Sequence, residues 1–207
     1  MRFIVAVLVL AALALAGTPA WAMTFKYATT ADGLRVVVAM GEIRRGDARR
    51  LERALEKADV DRHGTKRLYL ESEGGQVVEA LKMADVITAA SVSTIVRKGK
   101  FCASACASIL FVAGKYRTVE QGGLLAIHSC YDTRNGRAVS ECNAVISAHA
   151  DAAGVSGATM MALQEVAGSE TVIVFESDDA ACFGLTLKPG TKPSKRTPKC
   201  VREVTGQ

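Results

Sequence analysis

Ser104 stands between Ala103 and Ala105 in the segment CASAC, with Cys102 and Cys106 two places to either side. A serine hydroxyl among small side chains leaves room for a carbonyl to approach, and it becomes a nucleophile once a base takes its proton. His128, closing the apolar run that begins at Leu124, is the natural candidate for that base. Gly74 and Gly75 form a turn able to present an N–H with no side chain in the way. The Gly75 and Ala105 N–H groups together would make a two-donor oxyanion hole. The chemistry these residue types support is acyl transfer. Plainer readings compete: a helix N-cap for Ser104 and a structural histidine for His128.

For these residues to meet, the ends of three strands must converge. Leu34 to Met40 is a β-branched run ended by Gly41, suited to a strand buried on both faces. From Asp47, Ala48, Leu51, Leu55 and Ala58 recur at helical spacing while arginines, glutamates and Lys57 fill the other face. Leu68 to Glu71 reads as a second strand, halted by the Gly74–Gly75 turn. A helix follows, with Val77, Leu81, Ala84 and Thr88 on one face, and then a strand at Val92 to Val96. Ala105 to Ala113 is apolar all round, as a helix enclosed by the fold would be, with Gly114 as its C′ residue. Leu124 to His128 is the fourth strand. Helical stretches near Ser140 to Ala153 and Ala158 to Val166, a short strand Thr171 to Phe175 and a turn of helix ending at Gly184 complete the pass. Strands alternating with helices build parallel sheets through right-handed crossovers, so the fold class is α/β with a mostly parallel sheet. Sites in such sheets lie beyond the C-terminal strand ends. The glycine turn and the CASAC turn should therefore lie side by side, with His128 at the end of a third strand.

The chain has 207 residues, 49% hydrophobic and 23% charged, with net charge +5. Those values exclude disorder and collagen and indicate one domain. Phe3 to Gly17 is apolar and precedes Thr18, Pro19 and the small-x-small triplet Ala20, Trp21, Ala22. Residues 1–22 therefore read as a cleaved secretory signal, leaving a domain over 23–187 and a basic tail over 188–207. The tail's lysines and arginines sit among prolines with no aromatic residue, as in a solvated segment rather than a nucleic-acid arm. After cleavage no membrane anchor remains, and the location is periplasmic or secreted.

Six cysteines in an oxidising compartment form disulfides by default. Our favoured pairs are Cys130 with Cys142, Cys182 with Cys200 and Cys102 with Cys106. The competing reading is a zinc site of Cys102, Cys106, His128 and Cys130. A cysteine nucleophile is disfavoured because a free thiol does not persist there. No cofactor and no metal are expected.

The ordered series LYLESEGGQVVEALKMADVI, VSTIVRKGKFCASACASILFVAG and LLAIHS resembles the Clp protease proteolytic subunit and the wider ClpP/crotonase-like superfamily, and more narrowly its secreted bacterial members. The resemblance covers about Val36 to Ser129 and continues weakly through Phe175 to Leu185. It implies a ClpP/crotonase-like fold of repeated strand-helix units. It further implies Ser104 as nucleophile, His128 as general base, Gly75 and Ala105 as oxyanion donors, and assembly into trimers or rings. SEGG stands where the protease has Ser-Pro-Gly-Gly.

One departure bears on mechanism. The family's acid lies shortly before FESDDAACFGL, yet Thr171 to Val174 carry no carboxylate. Asp178 ranks first as third member, because a loop shift could present it; otherwise it caps the helix ending at Gly184. Glu170, Asp179 and Asp132 are the other acids nearby. The expectation is a secreted serine hydrolase, most simply a peptidase, acting on peptide or unfolded protein. The alternative is a catalytically inactive peptide-binding module on the same fold. An acyl-CoA enzyme is disfavoured because CoA is cytosolic.

Overall fold

A computed structural model describes residues 22–169, 171–193 and 200. The expected signal over residues 1–22 lies, up to residue 21, outside the described residues, as do Glu170 and most of the basic stretch after residue 187. The chain opens with β1 (Thr24–Thr29) and β2 (Arg35–Met40), an antiparallel hairpin in which Thr24 faces Met40. Helix α1 (Asp47–Glu56) leads to β3 (Lys66–Glu71), and α2 (Val77–Ala89) leads to β4 (Val92–Val96). Both crossovers return the chain parallel to the strand before, as β-α-β units do. Val36 to Ala39 are buried on both faces of β2, which is why that strand reads as a continuous apolar run.

The nucleophile candidate follows β5 (Phe101–Ala103) and enters a π-helix over Cys106–Phe111. Every residue of that helix is buried. It packs against α2, β4 and β5, so a side chain on any face must be apolar or small. β6 (Tyr116–Val119) adds to β4, and β7 (Leu124–Ile127) lies parallel to β5. Helices α3 (Ser140–Ala152) and α4 (Gly157–Ala167) then pack on one another, before β8 (Ile173–Phe175) and the short α5 (Ser177–Cys182). The strands form one sheet in the order β1-β2-β3-β4-β6 and a second in the order β5-β7-β8.

The architecture is thus a mixed α/β fold with a mostly parallel main sheet. Two features modify the sequence expectation. β1 is an antiparallel edge strand, and β7 to β8 is an antiparallel pair in a separate three-stranded sheet. The sheets meet at one place. Past the end of β3, Ser72 donates its N–H to the Phe101 carbonyl at 3.0 Å and accepts from the Ala103 N–H at 2.8 Å. β5 is thereby stitched beside the chain that runs on into the glycine turn.

Candidate active site

Ser104 sits one residue past β5 in the left-handed region, with φ 57°. A non-glycine residue there carries strain of about 1–3 kcal/mol and persists only where its surroundings dictate it. They do so here. The Ser104 N–H donates to the Ala126 carbonyl of β7 at 2.8 Å, and its own carbonyl accepts from the Ala107 and Ser108 N–H groups, both at 2.9 Å. The Ser108 hydroxyl adds a third bond at 3.0 Å. The cap of the helix that follows is Ala105, so Ser104 is not spent as an N-cap.

The two glycines close on this turn from the end of β3. A Cβ on Gly74 would lie 2.6 Å from the Ser104 Cβ and 3.0 Å from the Ala105 nitrogen. Only a glycine lets the segments approach so closely. Gly75 has φ 142°, and a Cβ on it would run into the Ile43 carbonyl. Around Gly75 the bridge to Ile43 is made by its neighbours: Ile43 donates to the Gly74 carbonyl at 2.7 Å, and Gln76 donates to the Ile43 carbonyl at 3.0 Å. In a parallel bridge the residue between such bonds turns its own N–H to the other side. Neither the Gly75 N–H nor the Ala105 N–H finds a backbone acceptor among the described residues. Two unspent donors therefore flank Ser104.

His128 lies just past β7. Because Ala103 pairs with Ala126 across β5 and β7, the serine and the histidine leave adjacent parallel strands at the same sheet edge. The His128 Nδ1 is 2.7 Å from the Ser129 carbonyl oxygen. A carbonyl can only accept, so Nδ1 carries the proton and Nε2 presents a lone pair. That is the tautomer a general base needs. The ring also tilts against Tyr131, with centroids 5.5 Å apart.

No carboxylate hydrogen-bonds the His128 ring among the described residues. Asp178 and Asp179 lie exposed in the first turn of α5, whose cap residue is Glu176. Asp132 is engaged by Arg134, whose guanidinium reaches it at 2.6 Å and holds its carboxyl below the usual range. The partner that the ring does have is the Ser129 carbonyl.

The structure joins Cys102 to Cys106, Cys130 to Cys142 and Cys182 to Cys200, leaving no free thiol. The three cysteines of the zinc reading are thus engaged in disulfides. The first bridge spans the nucleophile turn itself, with Cα atoms 5.3 Å apart.

Ser104, His128, Gly74 and Gly75 line one cleft of about 620 Å³, together with Glu42, Glu73 and Tyr131. A larger cavity, about 1020 Å³ beside Asp85 and His149, shares none of these residues. Asn143, which the sequence reading passed over, lies behind the cleft. Its side chain binds both Ser129 and Cys130, each at 2.7 Å. Its only sequence signal is adjacency to Cys142.

No family model and no curated protein matches the sequence. Among solved structures the chain is similar to a mutant ClpP1 from Listeria monocytogenes, with TM-score 0.52 and 17% identity over 70% of this chain and 84% of that one. At that identity the likeness is one of fold.

Proposed function

We propose that this chain is an exported serine hydrolase, most simply a peptidase, working by acyl transfer through Ser104 and His128. One observation supports the reading above all others. A strained Ser104 stands between the two unspent N–H donors of Gly75 and Ala105, in a cleft shared with a histidine whose Nε2 is free. The ClpP-like fold agrees with a protease-like role, and three disulfides are compatible with an oxidising compartment.

In the proposed reaction the Ser104 Oγ attacks the substrate carbonyl while its proton passes to His128 Nε2. The Gly75 and Ala105 N–H groups receive the oxyanion. Collapse expels the leaving amine, which takes the proton from the imidazolium, and water then releases the acyl group by the same path. No hydrogen bond joins Ser104 Oγ to His128 among the described residues, a separation that substrate binding would close. Substrates are peptides or unfolded protein segments, and assembly into a trimer or ring belongs to the same proposal. We rank Asp178 behind the Ser129 carbonyl as the orienting group, because the helix that carries it is exposed at that position.

That missing Ser–His hydrogen bond favours the second reading, an inactive peptide-binding module. A fluorophosphonate probe separates the two, because its phosphoryl oxygen enters the oxyanion hole. The oxidised wild type should label at Ser104, S104A should not label, and H128A should label slower by orders of magnitude. A folded, fully oxidised wild type that stays unlabelled at neutral to mildly alkaline pH would leave the module.

A further inference from the structure

We propose that Asn143 is the positioning residue for His128, acting through the Ser129–Cys130 peptide group as an uncharged substitute for a carboxylate. Its meaning in turnover rests on the hydrolase reading above; the geometry stands without it.

The groups form a continuous chain. His128 Nδ1 donates to the Ser129 carbonyl at 2.7 Å. The other end of that same peptide unit, the Cys130 N–H, donates to Asn143 Oδ1 at 2.7 Å. Only this orientation of the amide works, since a peptide N–H cannot accept; the Asn143 Nδ2 then donates to the Ser129 hydroxyl, again at 2.7 Å. Asn143 is 5% exposed and Ser129 2%, so these bonds act in a low-dielectric interior, where successive hydrogen bonds polarise one another. An acceptor on the N–H side of a peptide makes its carbonyl a stronger acceptor, and here that carbonyl holds the histidine.

The surroundings fix both ends. The Cys130–Cys142 disulfide ties the residue after Ser129 to the residue before Asn143. The Ser129 N–H donates to the Gly168 carbonyl at 2.7 Å. Within that frame, turning the Ser129 carbonyl away from the ring would also turn the Cys130 N–H away from Asn143 Oδ1. An amide relay defines the tautomer as a carboxylate would, but it offers the imidazolium a dipole rather than a full negative charge. The expected enzyme is competent and slow.

The test uses the full oxidised chain labelled with ¹⁵N. Long-range ¹H–¹⁵N correlation of the imidazole should show wild-type His128 protonated at Nδ1. N143L removes the acceptor that holds the Cys130 N–H and frees the peptide to turn its carbonyl off the ring, so the ring should gain protonation at Nε2 and fluorophosphonate labelling should fall by about 10- to 100-fold, as small displacements of catalytic groups do. N143D keeps an acceptor for the Cys130 N–H and adds charge. It should restore the Nδ1 tautomer and most of the labelling rate, and move the Nδ1 proton downfield. A merely structural asparagine would leave that resonance where it is. N143L with wild-type tautomer and wild-type labelling overturns the proposal. If N143L does not fold, an unmoved Nδ1 proton in N143D overturns it instead. A wild type that never labels, with a tautomer that still follows Asn143, defeats the hydrolase reading and leaves the relay standing.

Discussion

At the scale of single residues, the site is a set of close approaches that few side chains could make. Gly74 is the sharpest case. It is in the left-handed region at φ 102°, and an added Cβ would meet the Ser104 Cβ, the Ala103 carbonyl at 2.8 Å and the Ala105 nitrogen. Those neighbours are backbone or a strained turn, so they cannot swing aside. G74A therefore carries backbone strain of about 1–3 kcal/mol and adds an overlap that pushes directly on Ser104. Labelling at Ser104 should be lost, with a lower Tm by calorimetry. A G74A protein that labels at the wild-type rate would show that the turn has slack. That Ser104, His128 and the glycines meet at one cleft was legible because each sits next to a strand end. Asn143 was not legible, because a buried amide acting on another residue's peptide leaves no mark at the position it serves.

At the scale of elements, most helices and strands were readable, the short β7, β8 and α5 among them, and those not read were β1, β5 and β6. β4 falls at Val92–Val96 and α3 at Ser140–Ala152, close to the sequence expectation. β1 was missed because it is an edge strand whose residues are mostly exposed. β5 was missed because its residues run straight into CASAC, which was read as a turn. β6 was hidden by Arg117, a charge in a buried position. Burial pushes that guanidinium down to about 10, and it is solvated by the carbonyls of Leu185, Val112, Gly114 and Ala153. A second buried charge joins two helices. Glu79 of α2 accepts from the Gly46 and Ala48 N–H groups at 2.9 Å each, capping α1 from outside its own sequence. Acids at a helix start also meet the positive end of its dipole. E79A leaves two part-buried donors without their acceptor and should cost about 1–3 kcal/mol by urea unfolding. E79Q, which keeps one acceptor oxygen, should cost less. Equal stability of E79A and wild type would show that water replaces the cap.

At the scale of the whole molecule, the three disulfides fall at the site, in the loop after the histidine and at the tail, whereas the main sheet has none. The core explains the difference. Leu68, Leu70, Met83, Ile87 and Phe111 are fully buried between the main sheet and its helices, while the cleft side is built of loops and short strands. One group couples this core to pH. His149 of α3 points its Nε2 at the Ile109 carbonyl, 3.1 Å away, and burial lowers its pKa below the ordinary 6.5, against smaller opposing effects from that carbonyl and from Asp85. A base with a depressed pKa binds its proton more readily in the unfolded chain. Stability should therefore be intact above the unfolded value and decline as pH falls through the window below 6.5. Carboxylates with lowered pKa, such as Asp61, stabilise the fold throughout this range and lose that contribution only as pH falls below their unfolded value of 3.8. Thermal melts between about pH 7 and pH 5 isolate the histidine. The wild type should lose Tm across that range, and H149Q, which can still donate to the Ile109 carbonyl but cannot titrate, should show a flatter profile. Parallel profiles for the two proteins would mean that the ring accepts its proton in place, with the Ile109 carbonyl and Asp85 offsetting the cost of its burial.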